Sequence, residues 1–277
     1  MNKKISTLGL IACTLALNTQ AAERPLWEAG LGIAGVTFPD YRGANERTNY
    51  TLPIPYVVYR GDFLKADKQK VRGVFFKRGF LEMDLSFSGT PPVKSKNNNT
   101  RLGMPDLDGT LEVGPSLNLT LFDSADKLHT LELRMPLRGV IASDFKRIHG
   151  EGMVFQPQLN LDNRDFAGVS GLNLGIAAGP LFGDRRYHQY IYGVQAPYTN
   201  AARPAYQAQG GYAGSQLITA VSKRFPSFWA GAYMKYDNLS GAAFENSPLV
   251  KSKNGFTAGV GISWILGVSE KRVEARD

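Results

Sequence analysis

The sequence predicts an all-β fold: a transmembrane antiparallel β-barrel of 10–12 strands, with short turns at one end and long loops at the other. Three observations predict it. Long stretches alternate strictly between apolar and small or polar residues, the signature of strands with two unlike faces. Phe256–Leu266 is one, with Phe256, Ala258, Val260, Ile262, Trp264 and Leu266 on one face and Thr257, Gly259, Gly261 and Ser263 on the other. The connections alternate in length: 123–127, 163–166 and 225–227 are short, whereas 89–108, 142–151, 183–208 and 240–254 are long. Bacterial outer-membrane barrels carry short periplasmic turns and longer outer loops in this way. Finally, the body of the chain has no run of eighteen apolar residues, so it holds no membrane-spanning helix.

The elements follow in order. Residues 1–21 read as a signal peptide: Lys3 and Lys4, an apolar Ile5–Leu17, and small residues at Thr19 and Ala21 before a cleavage at Ala22. Residues 22–277 then form a single barrel domain. Cys13 is the sole cysteine; Leu10-Ile11-Ala12-Cys13 fits a lipobox, but the apolar run continues to Leu17, which favours a plain leader. Without disulfides, an exported chain of this size depends on a large core or on lipid.

Leu26–Phe38 is the first strand, and its repeated glycines suggest curvature or a crowded interior. Pro39-Asp40-Tyr41-Arg42-Gly43 breaks it, with Asp40 suited to a local turn and Gly43 to a positive φ. Asp40 and Arg42 could alternatively pair at the barrel mouth or meet a partner. Thr51–Tyr59 is next. Its Pro53 and Pro55 share a face and lack an N–H, so they belong where the strand is bulged or weakly paired. Residues 60–78 read as a short hairpin or one bent strand, and Phe80–Phe87 alternates cleanly.

After the polar 89–108 loop, Leu111–Leu121, Leu131–Arg138, Phe155–Leu161 and Leu172–Gly179 alternate. Their polar faces carry Glu112, Asn118, Glu132, Arg134, Arg138, Gln156, Gln158 and Asn160, which a barrel would gather in its lumen. Tyr212–Arg224 and Phe228–Leu239 form a hairpin, Phe256–Leu266 completes the ring, and 267–277 is a charged tail. An even strand count permits closure, which removes the unpaired edges that lipid does not tolerate.

The chemistry-bearing residues do not assemble into a catalytic pattern. His129, His149 and His188 fall in a turn and two loops, far apart in sequence. No phosphate-binding glycine loop, cysteine pair or His–Glu helix motif is present, and neither a cofactor nor a metal is expected. The formal charge of +8 would suit nucleic acid, but an exported barrel meets little of it. Basic residues in the loops, among them Arg47, Lys94, Arg101, Lys251 and Lys253, instead suit lipopolysaccharide phosphates.

These residues together resemble the MipA/OmpV family of outer-membrane proteins. The resemblance runs through Trp27–Gly35, Pro39–Gly43 and Leu52-Pro53-Ile54-Pro55. It continues in Gly179-Pro180-Leu181-Phe182-Gly183-Asp184, Tyr187 and Tyr192-Gly193-Val194. It implies a non-enzymatic scaffold that bridges a lytic transglycosylase and a bifunctional murein synthase of the penicillin-binding class at the outer membrane. The last strand is also similar to the carboxy-terminal signal read by the barrel-insertion machinery, through Gly261, Trp264 and Leu266, although Leu stands where Phe is usual and eleven residues follow. Two rival functions remain: a small-solute channel, motivated by the polar lumen, and a lipid-modifying enzyme, whose best candidate is His149 beside Ser143, Asp144 and Glu151.

Overall fold

A computed structural model describes residues 23–60, 64–66, 71–144 and 146–274; the segment 1–21 expected to be a signal peptide, with Cys13, lies outside them. Among the described residues fifteen strands are present: β1 (Glu23–Pro25), β2 (Trp27–Pro39), β3 (Arg47–Arg60), β4 (Leu64–Ala66), β5 (Val71–Arg78), β6 (Leu81–Thr90), β7 (Gly109–Asp123), β8 (His129–Ser143), β9 (Ile148–Phe155), β10 (Gln158–Asn163), β11 (Leu172–Gly183), β12 (Gly211–Arg224), β13 (Phe228–Asn238), β14 (Asn254–Val268) and β15 (Arg272–Glu274). An α-helix, α1 (Arg185–Tyr192), follows β11.

Strands β2 to β14 form one antiparallel sheet that curls round on itself. From β2 to β8 each strand pairs with the next, and β10 to β14 do likewise. Strand β14 returns to β2, from Ala258↔Thr37 to Val268↔Glu28. Segments β9 and β10 act as one strand broken at Gln156-Pro157, since both pair with β8 on one flank and with β11 on the other. Counting β9 and β10 together gives twelve staves, the upper end of the expected range. Of the two readings of 60–78, a short hairpin or one bent strand, β4 and β5 pair as the hairpin, and residues 61–63 and 67–70 lie outside the described set.

Side-chain parity gives the sheet its two surfaces. Leu31, Ile33, Phe87, Leu111, Leu159, Leu217, Val260, Trp264 and Leu266 point outward and are exposed, as a lipid-facing wall requires. Outward rings gather at both ends of the wall. Trp27, Tyr59, Phe228 and Trp264 lie near the short turns, with Trp27 opposite Tyr59 and Phe228 opposite Trp264. Near the long loops Phe155 stacks on Phe182, which meets Tyr212 edge-on, and Tyr236 lies tilted against Phe256. Two such girdles mark the interfaces of a membrane barrel. Inward positions carry Glu28, Glu112, Ser116, Asn118, Arg138, Asn160, Asp237 and Ser263, all buried.

Two boundaries differ from the sequence reading. The connection expected over 142–151 shrinks to 144–147, because β8 and β9 extend to Ser143 and from Ile148. Sequence alternation fades there for a physical reason: the inward residues Val140, Ala142 and Val154 are apolar and buried at the outer end, not polar. The tail 267–277 is partly structured. Strand β14 runs on to Val268, and β15 pairs with β1 through Glu23↔Glu274, Arg24↔Val273 and Pro25↔Arg272.

Candidate functional site: the polar lumen and its outer cap

The main apolar cluster lies at the outer mouth. Tyr41 and Ala44 come from the β2–β3 connection, Val93 and Leu107 from β6–β7, Tyr187, Tyr192, Val194 and Ala208 from β11–β12, and Leu239, Phe244 and Leu249 from β13–β14. They pack with the inward barrel residues Val140, Val154, Leu181 and Ala213. Four connections therefore fold into a cap seated in the barrel end, with α1 inside it. Asp184 starts α1 as its N-cap, its carboxylate accepting from the Tyr187 N–H at 2.8 Å.

His188 sits at the centre of the cap and is fully buried. Its ring lies edge-on to Phe244 at 4.7 Å, and Phe244 stacks on Tyr192 at 3.6 Å. Nδ1 donates to the Gln209 carbonyl at 2.6 Å, which leaves Nε2 unprotonated and without a partner among the described residues. Burial lowers its pKa from the usual 6.5, more than the Gln209 carbonyl raises it. Burial likewise raises the Tyr187 and Tyr192 hydroxyls.

The family-motif residues tie this cap down. Asp40 accepts from the Thr48 hydroxyl at 2.6 Å and the Asn98 amide at 2.8 Å. The Tyr41 hydroxyl donates to the Leu249 carbonyl at 2.8 Å, and the Tyr192 hydroxyl to the Arg42 carbonyl at 2.8 Å. Gly43 has a φ of +97°, and its carbonyl accepts from both Lys251 and Ser252 N–H groups. Asp40 and Arg42 do not pair with each other. Gly179 admits the strand break opposite it, since a Cβ there would lie 2.1 Å from the Pro157 carbonyl oxygen. Pro180 begins the register shift that ends at Phe182. Gly183 leaves room for the His188 ring, 2.5 Å from where its Cβ would be.

Below the cap the polar belt is continuous. Arg138 donates to Glu112 at 2.9 Å and to the Gln156 side chain at 2.6 Å. Gln156 donates to Gln216 at 2.7 Å, and Gln216 to Asp237 at 2.8 Å. Asp237 also accepts from Arg42 Nε at 2.7 Å. Burial works most strongly against the Arg42 charge, but the Asp237 carboxylate, through its charge and its hydrogen bond, acts with the neighbouring Tyr192 and Tyr187 to hold the guanidinium above its ordinary pKa. At the turn end, Glu28 is fully buried and accepts from Arg60 at 3.0 Å, Arg224 at 2.9 Å and the Tyr56 hydroxyl at 3.2 Å. Arg134 bridges Glu132 and Asp162. A cavity of about 840 Å³ remains between belt and cap.

Of the inward polar residues the sequence singled out, the belt joins Glu112, Arg138 and Gln156, while Glu132 and Arg134 pair with each other beside it. Arg42 was a candidate from the sequence, but its pairing with Asp237 was not legible there, because a loop residue and a strand residue so far apart give no local signal. The histidines are placed differently from the sequence reading. His129 opens β8, His149 lies within β9, and His188 is in α1. His149 Nε2 lies 3.3 Å from Glu151 Oε1 and 3.8 Å from Asp108 Oδ2 at the outer surface. Among the described residues no three His, Cys, Asp or Glu side chains form a metal-binding group. Of the expected insertion signal, Trp264 and Leu266 face outward, 50% and 74% exposed, while Gly261 faces inward beside Ile54.

Fold and site together define an outer-membrane-type β-barrel with a hydrogen-bonded lumen and a mouth filled by its own loops. The model of the family described as MltA-interacting protein MipA matches residues 31–266, and the chain belongs to that family. No curated protein matches the sequence. Among solved structures, the NanC porin is 10% identical with a TM-score of 0.40, covering 85% of this chain and 100% of its own. OprG from Pseudomonas aeruginosa is 11% identical with a TM-score of 0.22, covering 86% and 94%. The P. putida toluene transporter TodX is 11% identical with a TM-score of 0.27, covering 89% and 68%. Likenesses this distant carry no functional argument.

Proposed function

We propose that the chain is a non-enzymatic adaptor in the outer membrane, which presents its periplasmic rim to murein-remodelling enzymes, a lytic transglycosylase and a bifunctional penicillin-binding protein. The observation that carries this reading is the cap. A barrel whose outer mouth holds a packed apolar core is suited to be a rigid platform, and the family's description as an MltA-interacting protein supports a murein enzyme as partner. The β1–β15 ribbon adds surface at the rim, where the turns alone offer little. In this reading residues 1–21 are a cleaved leader, Gly261, Trp264 and Leu266 guide insertion, and the basic outer loops face lipopolysaccharide. Detergent-solubilised barrel, immobilised and exposed to a purified lytic transglycosylase and murein synthase, tests it: retention of neither enzyme refutes the adaptor.

A small-solute channel is the second reading, favoured by the luminal cavity of about 840 Å³. Planar-bilayer recording separates the two. Reproducible unit conductance steps support the channel, and a silent bilayer containing folded barrel supports the adaptor.

A further inference from the structure

Two arginines are buried in the cap without a carboxylate beside them: Arg101 is 2% exposed and Arg203 7%. Arg203 donates to the main-chain carbonyls of Tyr198, Thr100 and Leu102. Arg101 donates Nη1 to the Ile191 carbonyl at 3.0 Å, Nη2 to the Pro105 carbonyl at 3.2 Å and Nε to Ser95 Oγ at 3.4 Å. Such bonds staple the β6–β7 and β11–β12 connections together, but they bring no negative charge. Burial and the nearby Arg203 charge hold the Arg101 pKa below the ordinary arginine value, whereas Arg42, beside Asp237, is held above it. A buried guanidinium without a counter-charge is costly, and an anion would relieve that cost.

Of the two, Arg101 faces a cavity. The space, about 570 Å³, lies between the β6–β7 connection, the segment from α1 to Tyr198, and Glu151 at the outer end of β9. A guanidinium has more N–H groups than the three acceptors of Arg101, so donors remain for a ligand there. Arg185 and Arg186, the first residues of α1, line the same cavity and are exposed. Arg185 donates to the Gln207 amide oxygen at 3.2 Å, and Arg186 feels Glu151 only at longer range. Among the described residues none of these three arginines is in an ion pair.

The two carboxylates of the cavity are the partnered groups. Asp106 lies 2.9 Å from Lys94 Nζ and accepts from the Ser95 N–H at 2.8 Å, and Glu151 lies 3.3 Å from His149 Nε2. With Lys94 included, four cations meet two carboxylates, an excess of two positive charges. Met104 and the rings of Tyr190 and Tyr198 supply the apolar part of the wall.

We propose that this cavity binds a phosphate monoester carried on a compact ring-bearing body. The excess of two charges matches a dianion better than a carboxylate or sulfonate. Guanidinium forks hold phosphate oxygens in pairs, Arg101 from the floor and Arg185 and Arg186 from the rim. The tyrosine rings and Met104 take the body of the ligand. The site sits in the cap, at the opposite end of the barrel from the rim on which the adaptor reading rests. Such an ester reaches it either free in the medium or as part of lipopolysaccharide.

Isothermal titration calorimetry of the full barrel in a neutral detergent at low salt tests this, with phenyl phosphate as probe and benzenesulfonate as its singly charged counterpart. The expected result is one site, holding phenyl phosphate about tenfold more tightly than the sulfonate. Arg185→Gln with Arg186→Gln lowers that affinity about tenfold, and Arg101→Lys, which keeps the charge but loses the planar fork, does the same. Lys251→Gln, in the β13–β14 connection, leaves it unchanged. Tyr198→Ala weakens phenyl phosphate but not inorganic phosphate. Far-UV circular dichroism establishes that each variant is folded. Absence of binding, equal affinity for the two probes, or insensitivity of the folded arginine variants overturns the proposal. So does an equal loss in Lys251→Gln, which would reduce the site to a general positive field. Competition identifies the source. Lipopolysaccharide that displaces the probe only while phosphorylated places the ester on the membrane, and lipopolysaccharide that never displaces it places the ester in the medium; both support the site. Displacement by dephosphorylated lipopolysaccharide counts against it. None of these outcomes bears on murein-enzyme retention, so the adaptor stands or falls separately.

Discussion

Arg42 Nε lies 2.7 Å from Asp237 Oδ1, joining a loop residue of the cap to a luminal strand residue 195 positions later. Both side chains are largely buried, at 16% and 7% exposure. Removing one partner leaves the other charge buried without compensation. Arg42→Gln and Asp237→Asn are each expected to destabilise the folded barrel by about 3 kcal/mol, and the double variant by clearly less than the sum. Urea unfolding in detergent, followed by tryptophan fluorescence, measures all three.

Gly179→Val tests the strand break. Its Cβ would meet the Pro157 carbonyl oxygen at 2.1 Å, and backbone cannot step aside as a side chain can. The β10–β11 pairing should slip at a cost of roughly 2–3 kcal/mol, with faster amide exchange at Leu159–Asn163 and little change in β2–β3.

The cap should loosen in acid. Burial depresses the folded-state pKa of His188 below the usual 6.5. The unfolded cap thus takes up a proton near pH 6.5 that the folded cap refuses, and stability is lost as pH falls from there toward the folded pKa. Limited proteolysis of the 184–210 connection should accelerate between pH 7 and pH 5. In His188→Gln that acceleration should vanish, whatever the variant's stability at pH 7.

Phe244→Ala removes the ring stacked on Tyr192 and set edge-on to His188. A loss of about 3–5 kcal/mol from the cap is expected. Strand signals in infrared spectra should survive, because the apolar core of the cap is separate from the sheet ladder. Survival of the cap's protease resistance would contradict this division.

Leu266→Asp probes the outward face of the last strand. Leu266 is 74% exposed and near the turn end, where a carboxylate costs little in the folded barrel. Assembly yield in cells should fall while the refolded protein keeps its thermal midpoint. Equal losses of both would point to packing and not to an insertion signal.

Alternation and sided connections made the barrel legible, because lipid outside and polar groups inside impose period two on almost every strand. Legibility failed at the outer ends of β8 and β9. There Val140 and Val154 face inward against Tyr187-containing loops, so both faces of the strand are apolar and the period disappears. Helix α1 was hidden because eight residues give little periodicity, although its N-cap Asp184 was in plain sight within the family motif. Asp40, Tyr41, Arg42 and Gly43 could be read as a turn, but not as the anchor of loops up to 208 residues away. Pro53 and Pro55, expected at a bulge or weak pairing, lie in a β3 that pairs with β2 without a register shift from Trp27↔Tyr59 to Pro39↔Arg47.

The closing seam also says where a pull on the chain's ends is met. Those ends meet along β14 and β2 from Ala258↔Thr37 to Val268↔Glu28, and the β1–β15 ribbon clasps them below. A force drawing the two termini apart therefore has to undo the ribbon before it loads the seam.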